Sequence, residues 1–273
     1  MAMPGSESSD LESGDAWALL DEELGGWESA GRTASLWWRD DDATAPGPLL
    51  DRLQGLSGDA GAGLLLAVIP ARAEAALADR LGPLTRIAQH GYAHVNHAPR
   101  GRGLGAWELG SHRPRDEVLA ELKMGRERLA ELFGARFVPV VVPPWNRIDP
   151  GLLTGLAEHG YTGVSAFGRR DAESGSHGLI EVNAHCDPIR WKDAARFAGE
   201  AKTLGALVDQ LRARRCCEVD ASEVSGFLTH HRDLDGPGWA FCERLAGVIA
   251  GHPAARWLEI EEIFGGDCGG TVS

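Results

Sequence analysis

Residues 115–142 read RDEVLAELKMGRERLAELF, then GAR, then FVPVVV, and this stretch decides the fold. Val118, Leu119, Leu122, Leu129, Leu132 and Phe133 recur at helical spacing and fall on one face, with charges on the other. Gly134 supplies the stop. Phe137–Val142 is too short for a buried helix and is rich in β-branched Val, so it predicts a strand covered on both faces.

Working outward, the same alternation recurs. Strands are predicted at Ser35–Trp38, Leu64–Ile69, Arg86–Gln89, Tyr161–Ala166, Leu179–Val182, Gly226–Thr229 and Arg256–Leu258. Between them, helices are predicted at Pro48–Leu56, Arg72–Leu81, Pro150–His159, Ala201–Arg214 and Pro237–Ile249. Alternation of this kind implies a parallel sheet, so the chain is expected to be an α/β protein with a single distorted barrel of seven or eight units. An amphipathic helix over 11–30, capped by Asp10, precedes the first unit. The expected organisation is an N-terminal extension (1–33, its first nine residues flexible), a barrel (34–265) and a flexible tail (266–273). The polar, Gly-rich stretches Ala98–Pro114 and Arg169–Gly178 read as loops long enough to cover a site.

Composition narrows the partners. The 40 acidic residues outnumber the 27 basic ones, for a formal charge of −13. Such a field repels phosphate backbones, so nucleic acid is not an expected partner. No apolar run reaches the length of a membrane span. Met1–Asp10 is acidic and Ser-rich, without the basic and apolar regions of a secretory signal. The five cysteines have no CxxC spacing and read as reduced thiols, so a cytoplasmic location is expected. The sequence sets no oligomeric state.

Five chemically loaded clusters follow predicted strands, where barrels of this class place their active sites. In the first, Trp37-Trp38-Arg39-Asp40-Asp41-Asp42, three adjacent carboxylates repel one another unless water, a cation or a metal compensates. The second, His90-Gly91-Tyr92-Ala93-His94, carries histidines four residues apart that can converge on one ion. His97 follows as a candidate substrate contact. The third, Val142-Pro143-Pro144-Trp145-Asn146, presents a flat aromatic face suited to a sugar ring after a rigid turn. The fourth, Asp187-Pro188-Ile189-Arg190-Trp191, mixes carboxylate, guanidinium and aromatic. In the fifth, Leu228-Thr229-His230-His231, strand alternation lets only one histidine face the barrel mouth, and periodicity alone does not say which.

In order and spacing these clusters resemble the polysaccharide deacetylases of the NodB-homology type, from about Trp37 to His231. The resemblance implies a metal-dependent hydrolase that removes an acetyl or other N-acyl group from an amino sugar or related glycan. It maps a general base and a metal ligand onto Asp41 and Asp42, with Asp40-Asp41 the alternative pair, and two further ligands onto His90 and His94. The Leu-x-His motif maps the catalytic acid onto His230. The implied cofactor is one divalent ion, zinc first, with iron, cobalt or nickel also compatible. Substrate contacts are expected from Trp145, Asn146, His97, Asp187, Trp191 and His231. Two positions depart from the family pattern: Val142 stands where the family has Arg, and Arg190 where it has a second Asp. These departures lead to the expectation that Arg190 reaches Asp41 and supplies the missing guanidinium. A metal- or sugar-binding barrel without catalysis and a hydrolase acting on a non-sugar amide are the alternatives.

Overall fold

Strands form where the apolar runs were read, and the first grows beyond its apolar part. The computed structural model describes residues 13–170 and 177–265. Within these, β1 is Ala34–Ala43, β2 Leu64–Val68, β3 Thr85–His90, β4 Phe137–Val142, β5 Gly163–Val164 and β6 Ile180–Glu181. A short antiparallel hairpin follows, β7 Ile189–Arg190 and β8 Arg196–Phe197, then β9 Ser225–Thr229 and β10 Ala255–Trp257. The helices are α1 Ser13–Ser29, α2 Pro48–Asp59, α3 Arg115–Phe133, α4 Leu153–Glu158, α5 Glu200–Arg215, α6 Gly236–Gly251 and α7 Ile260–Phe264.

The strands β1 to β6 pair in sequence order, all parallel, and β9 pairs with the other edge of β1. β10 shares one edge of β1 with β2, pairing with its first residues while β2 pairs with its later ones. Beyond β6 the chain reaches β9 through the Cys186–Phe227 bridge and the hydrogen bonds His185 N–H to Gly226 O and Leu228 N–H to Cys186 O. The sheet therefore curls into the distorted barrel that the alternation predicted, with its last join made by a few bonds only.

Burial follows the two faces of the strands. Trp37, Leu65, Ala67, Ala88, Val140 and Val142 fill the interior, and Ile260 and Phe264 of α7 join them. Phe264 meets Trp37 edge-on at 6.0 Å. On the outer face Trp38 and Phe227 pack under α2, α5 and α6. α1 lies against α5, burying Trp17, Leu20, Leu24 and Trp27; the two leucines alone are worth about 1.5–3 kcal/mol each. Glu23, 3 % exposed, fixes the pairing of the two helices through two hydrogen bonds from Arg215, at 2.7 and 2.9 Å.

Several elements differ from the sequence reading. The helix expected over Arg72–Leu81 is replaced by two 3₁₀ turns, Pro70–Arg72 and Ala75–Arg80, because the backbone is extended at Ala73 and Glu74, where the Glu74 N–H binds Thr44 O. The strands expected over 161–166 and 179–182 shrink to two residues each. The β7–β8 hairpin has no apolar run to announce it. Asp10, residues 1–9, the tail 266–273 and the middle of the Arg169–Gly178 loop lie outside the described residues.

Candidate metal centre

β1 carries the acidic triplet inside the strand, and its alternation sorts the first two carboxylates. Trp37, Arg39 and Asp41 point inward; Trp38 and Asp40 point outward. Strict alternation would send Asp42 outward as well. The β1–β2 register instead shifts between Asp40 and Ala43, and Asp42 adopts a left-handed backbone with φ 70°. A bulge of this kind re-aims one side chain, and Asp tolerates the conformation better than most residues. Asp41 and Asp42 thus both reach the cleft.

β3 ends in His90, whose Nδ1 lies 3.0 Å from the Val142 carbonyl. With the Nδ1 proton on that carbonyl, Nε2 is left as a lone-pair donor facing Asp42. The chain then turns at Gly91, φ 54°, where a Cβ would stand 2.1 Å from the Glu108 carboxylate and 2.5 Å from Pro144. Glu108, fully buried, accepts hydrogen bonds from the Tyr92 and Ala93 N–H groups at 3.3 and 2.9 Å. That carboxylate holds the turn which brings His94 back beside His90.

Asp42 Oδ1 lies 3.1 Å from His90 Nε2 and 3.2 Å from His94 Nε2. Tetrahedral zinc with ligands at 2.0–2.1 Å keeps its donor atoms about 3.3 Å apart. One carboxylate oxygen and two imidazole nitrogens at these separations fit a divalent ion, and the described residues offer no other group of this kind. The electrostatics favour the ligating forms of Asp42 and His94. Burial resists ionisation of Asp42, but the His90 hydrogen bond and the nearby histidine charges win and hold its carboxyl well below the usual range. Burial, aided by His90, lowers His94. His90 moves the other way: burial disfavours its charge, but Asp41 and Asp42 raise it overall. A divalent cation would replace the proton that these carboxylates attract there.

Asp41 is gripped from below by Arg39, two residues earlier on the same strand face and completely buried. Arg39 Nη2 donates to Asp41 Oδ2 at 3.1 Å; Nε stands 3.0 Å from Oδ1, too oblique for a hydrogen bond, so that contact is Coulombic. The guanidinium also donates to Asn146 Oδ1 at 2.5 Å and to Ser165 O, Ser165 Oγ and Ala166 O. Asp41 therefore has a guanidinium partner in Arg39. Arg190, expected in that role, instead donates to Asp193 at 3.1 Å across a turn of the β7–β8 hairpin.

The histidine question is settled by the same alternation. His230 shares the inward side of Leu228 and lines the cleft. His231 is outward: its Nδ1 lies 2.5 Å from Asp40 Oδ1, while its backbone N–H and the Thr229 hydroxyl donate to Asp40 Oδ2. Asp40 is thus committed behind the strand, leaving Asp41 and Asp42 as the pair in the cleft, and His231, expected there, lies outside the cleft lining. His97 is exposed and outside the cleft lining, its N–H on the Trp107 carbonyl.

The cleft, about 670 Å³, runs from the ligand trio past Asp41 to His230, Asp187 and Trp191. Trp191 meets the His230 ring edge-on at 4.6 Å and donates through Nε1 to Asp187 at 2.9 Å. Burial raises the Asp187 carboxyl, against the pull of the His230 charge. Trp145, Phe167 and Trp191 leave aromatic faces exposed along the rim. Trp145 and Asn146, like Asp42 and His94, have positive φ, so four of the seven described non-glycine residues in that conformation lie at the cleft. Glu108, Phe167, Asp233 and Arg39 went unread as site residues in the sequence. Only Arg39 carried a signal, the two-residue spacing from Asp41 along a strand.

A protein from Mycobacterium smegmatis, described as a candidate polysaccharide deacetylase, superposes with a TM-score of 0.60 at 17 % identity, covering 86 % of this chain and 90 % of that one. This chain has the polysaccharide deacetylase fold. The same fold relates it to the peptidoglycan deacetylase PdaC from Bacillus subtilis, at TM-score 0.51 and 14 % identity over 85 % of this chain and 90 % of that one. The Bc1960 peptidoglycan N-acetylglucosamine deacetylase gives the same score and identity over 85 % and 89 %. No protein-family model and no curated protein matches the sequence. At these identities the polysaccharide deacetylase fold is shared, while the chemistry rests on the side chains themselves.

Proposed function

We propose that this protein is a metal-dependent hydrolase that removes an acetyl or related N-acyl group from an amino sugar or a glycan containing one. The observation that carries the proposal is the placement of Asp41, clamped by Arg39, beside the Asp42–His90–His94 trio, with His230 also lining the cleft. A non-catalytic binding module needs neither a proton acceptor nor a proton donor in its cleft, and Asp41 and His230 both line this one.

Asp42, His90 and His94 would hold a divalent ion, zinc by donor chemistry, which would polarise the acyl carbonyl and acidify a water. Asp41 takes a proton from the attacking water as its oxygen bonds to the acyl carbon. Arg39 fixes the Asp41 carboxylate in one orientation, so that the transfer needs no rearrangement. The tetrahedral carbon then releases its nitrogen: the C–N bond breaks, and His230 donates the proton that lets the amine depart. Asp187 lines the cleft beside His230, and Trp191 touches both, donating to Asp187 and meeting the His230 ring. Acetate and a free amine are the products. The aromatic rim suits the apolar faces of sugar rings.

Acetate release from N-acetylated amino sugars and their oligomers tests this. The zinc-loaded protein should release acetate, lose the activity to a chelator and regain it with added divalent ion. No release from any of these by protein shown to contain metal would overturn the proposal.

A further inference from the structure

A second hollow of about 320 Å³ adjoins the metal centre, lined by Asp42, Ile69, Arg72, His94, Arg232 and Asp233. It shares Asp42, His94 and Asp233 with the main cleft, so one ligand can occupy both. Its two arginines lie in the segments that follow β2 and β9, the strands that flank β1 on either side. Both are exposed, and among the described residues neither forms a salt bridge; the nearest polar contact is Arg232 Nη1 to Thr44 Oγ1 at 3.5 Å.

Their backbones are firmly placed. The segment around Arg72 is tied by Ile69 N–H to Ala43 O, Ala71 N–H to Tyr92 O and Glu74 N–H to Thr44 O. Arg232 follows His231, whose N–H is on Asp40. In a chain of net charge −13, two guanidinium groups outside any salt bridge among the described residues line one hollow with Asp233 and with Asp42, whose charge a bound cation would offset. Arginines held from two sides suit an anion with several oxygens.

Resting on the hydrolase reading above, we infer that the substrate is anionic: it carries a phosphate or carboxylate close to the acylated amine, and Arg72 and Arg232 receive that group. The pair then orients the sugar so that its acyl carbon faces Asp41. Against the repulsion of the acidic surface, these arginines favour charged substrates over neutral ones locally.

The test compares N-acetylglucosamine with its 1-phosphate, its 6-phosphate and N-acetylmuramic acid, which carries a carboxylate. Affinity is measured by calorimetry on the metal-loaded protein and kcat/KM by acetate release. At least one anionic sugar should exceed the neutral one roughly tenfold in both, and the phosphate and carboxylate arms tell which anion is preferred. The double variant Arg72→Gln/Arg232→Gln should erase that ratio, and Arg72→Lys/Arg232→Lys should keep part of it. Equal affinity and turnover for neutral and anionic sugars, or a ratio that survives the Gln double variant, overturns the inference while leaving the hydrolase reading intact. Preferential anion binding that depends on the arginines, without acetate release from any sugar, sinks the hydrolase reading and leaves the anion site standing.

Discussion

Asp40 and Asp41 are neighbours on one strand, both almost fully buried, and each is paired with a basic side chain. Asp40 is turned outward into a closed arrangement with Thr229 and His231. Asp41 is turned inward, backed by Arg39 and open to the cleft. The contrast shows that burial and ion pairing do not decide whether a carboxylate can meet a second molecule. The side of the strand does, because only the inward face ends in a space that a second molecule can enter.

Substitutions at the two positions should separate sharply. Asp41→Asn should lower turnover by about 10²–10⁴-fold, while elemental analysis still finds one metal per chain. Asp40→Ala should leave turnover of the folded protein within about tenfold yet cost about 3–5 kcal/mol in denaturant unfolding, since it strands buried donors and a buried imidazole. If Asp40→Ala instead abolishes turnover in folded protein, the two carboxylates do not divide labour as described.

Arg39 sharpens the comparison from the inward side. Lysine cannot reproduce its forked contacts to Asp41, Asn146 and Ser165. Arg39→Lys should reduce kcat by about 10²-fold, the order expected for misplacing a reacting group by an ångström, with KM changed much less. An equal loss from Arg190→Lys, and none from Arg39→Lys, would place the supporting guanidinium at Arg190, which in the structure is on Asp193.

The smallest effect lies on the outward side. Burial disfavours charge on His231, but Asp40 outweighs it, so the folded-state pKa is raised above the ordinary value. A raised histidine pKa contributes stability fully below about pH 6.5 and loses it as pH climbs through the folded value. Unfolding midpoints should therefore fall more steeply above neutrality for the natural protein than for His231→Gln. Parallel pH profiles would show that the pair makes no such contribution.

How much of this could be read in the sequence depends on the length of the pattern. The six-residue run Phe137–Val142 and the 19-residue helix before it appear with the bounds expected, because long periodic patterns leave few alternatives. β5 and β6, with two residues each, are fixed by pairing partners and not by their own composition. The ligand residue types were legible, but their convergence was not. It depends on a bulge at Asp42, a glycine that clears Glu108 at residue 91, and a loop carboxylate some 15 residues downstream. Arg39 was legible in principle: a strand through Asp42 places residues 39 and 41 on one face, and the purely apolar reading stopped that strand at Trp38.

The central claim is that Asp42, His90 and His94 together hold one divalent ion. It is tested most directly by metal analysis of the protein beside its Asp42→Ala and His90→Ala variants, each purified, reconstituted with zinc and desalted identically. One zinc per natural chain is expected, and essentially none in folded samples of either variant. A natural chain that holds no metal after reconstitution, or variants that retain a full equivalent, would contradict it.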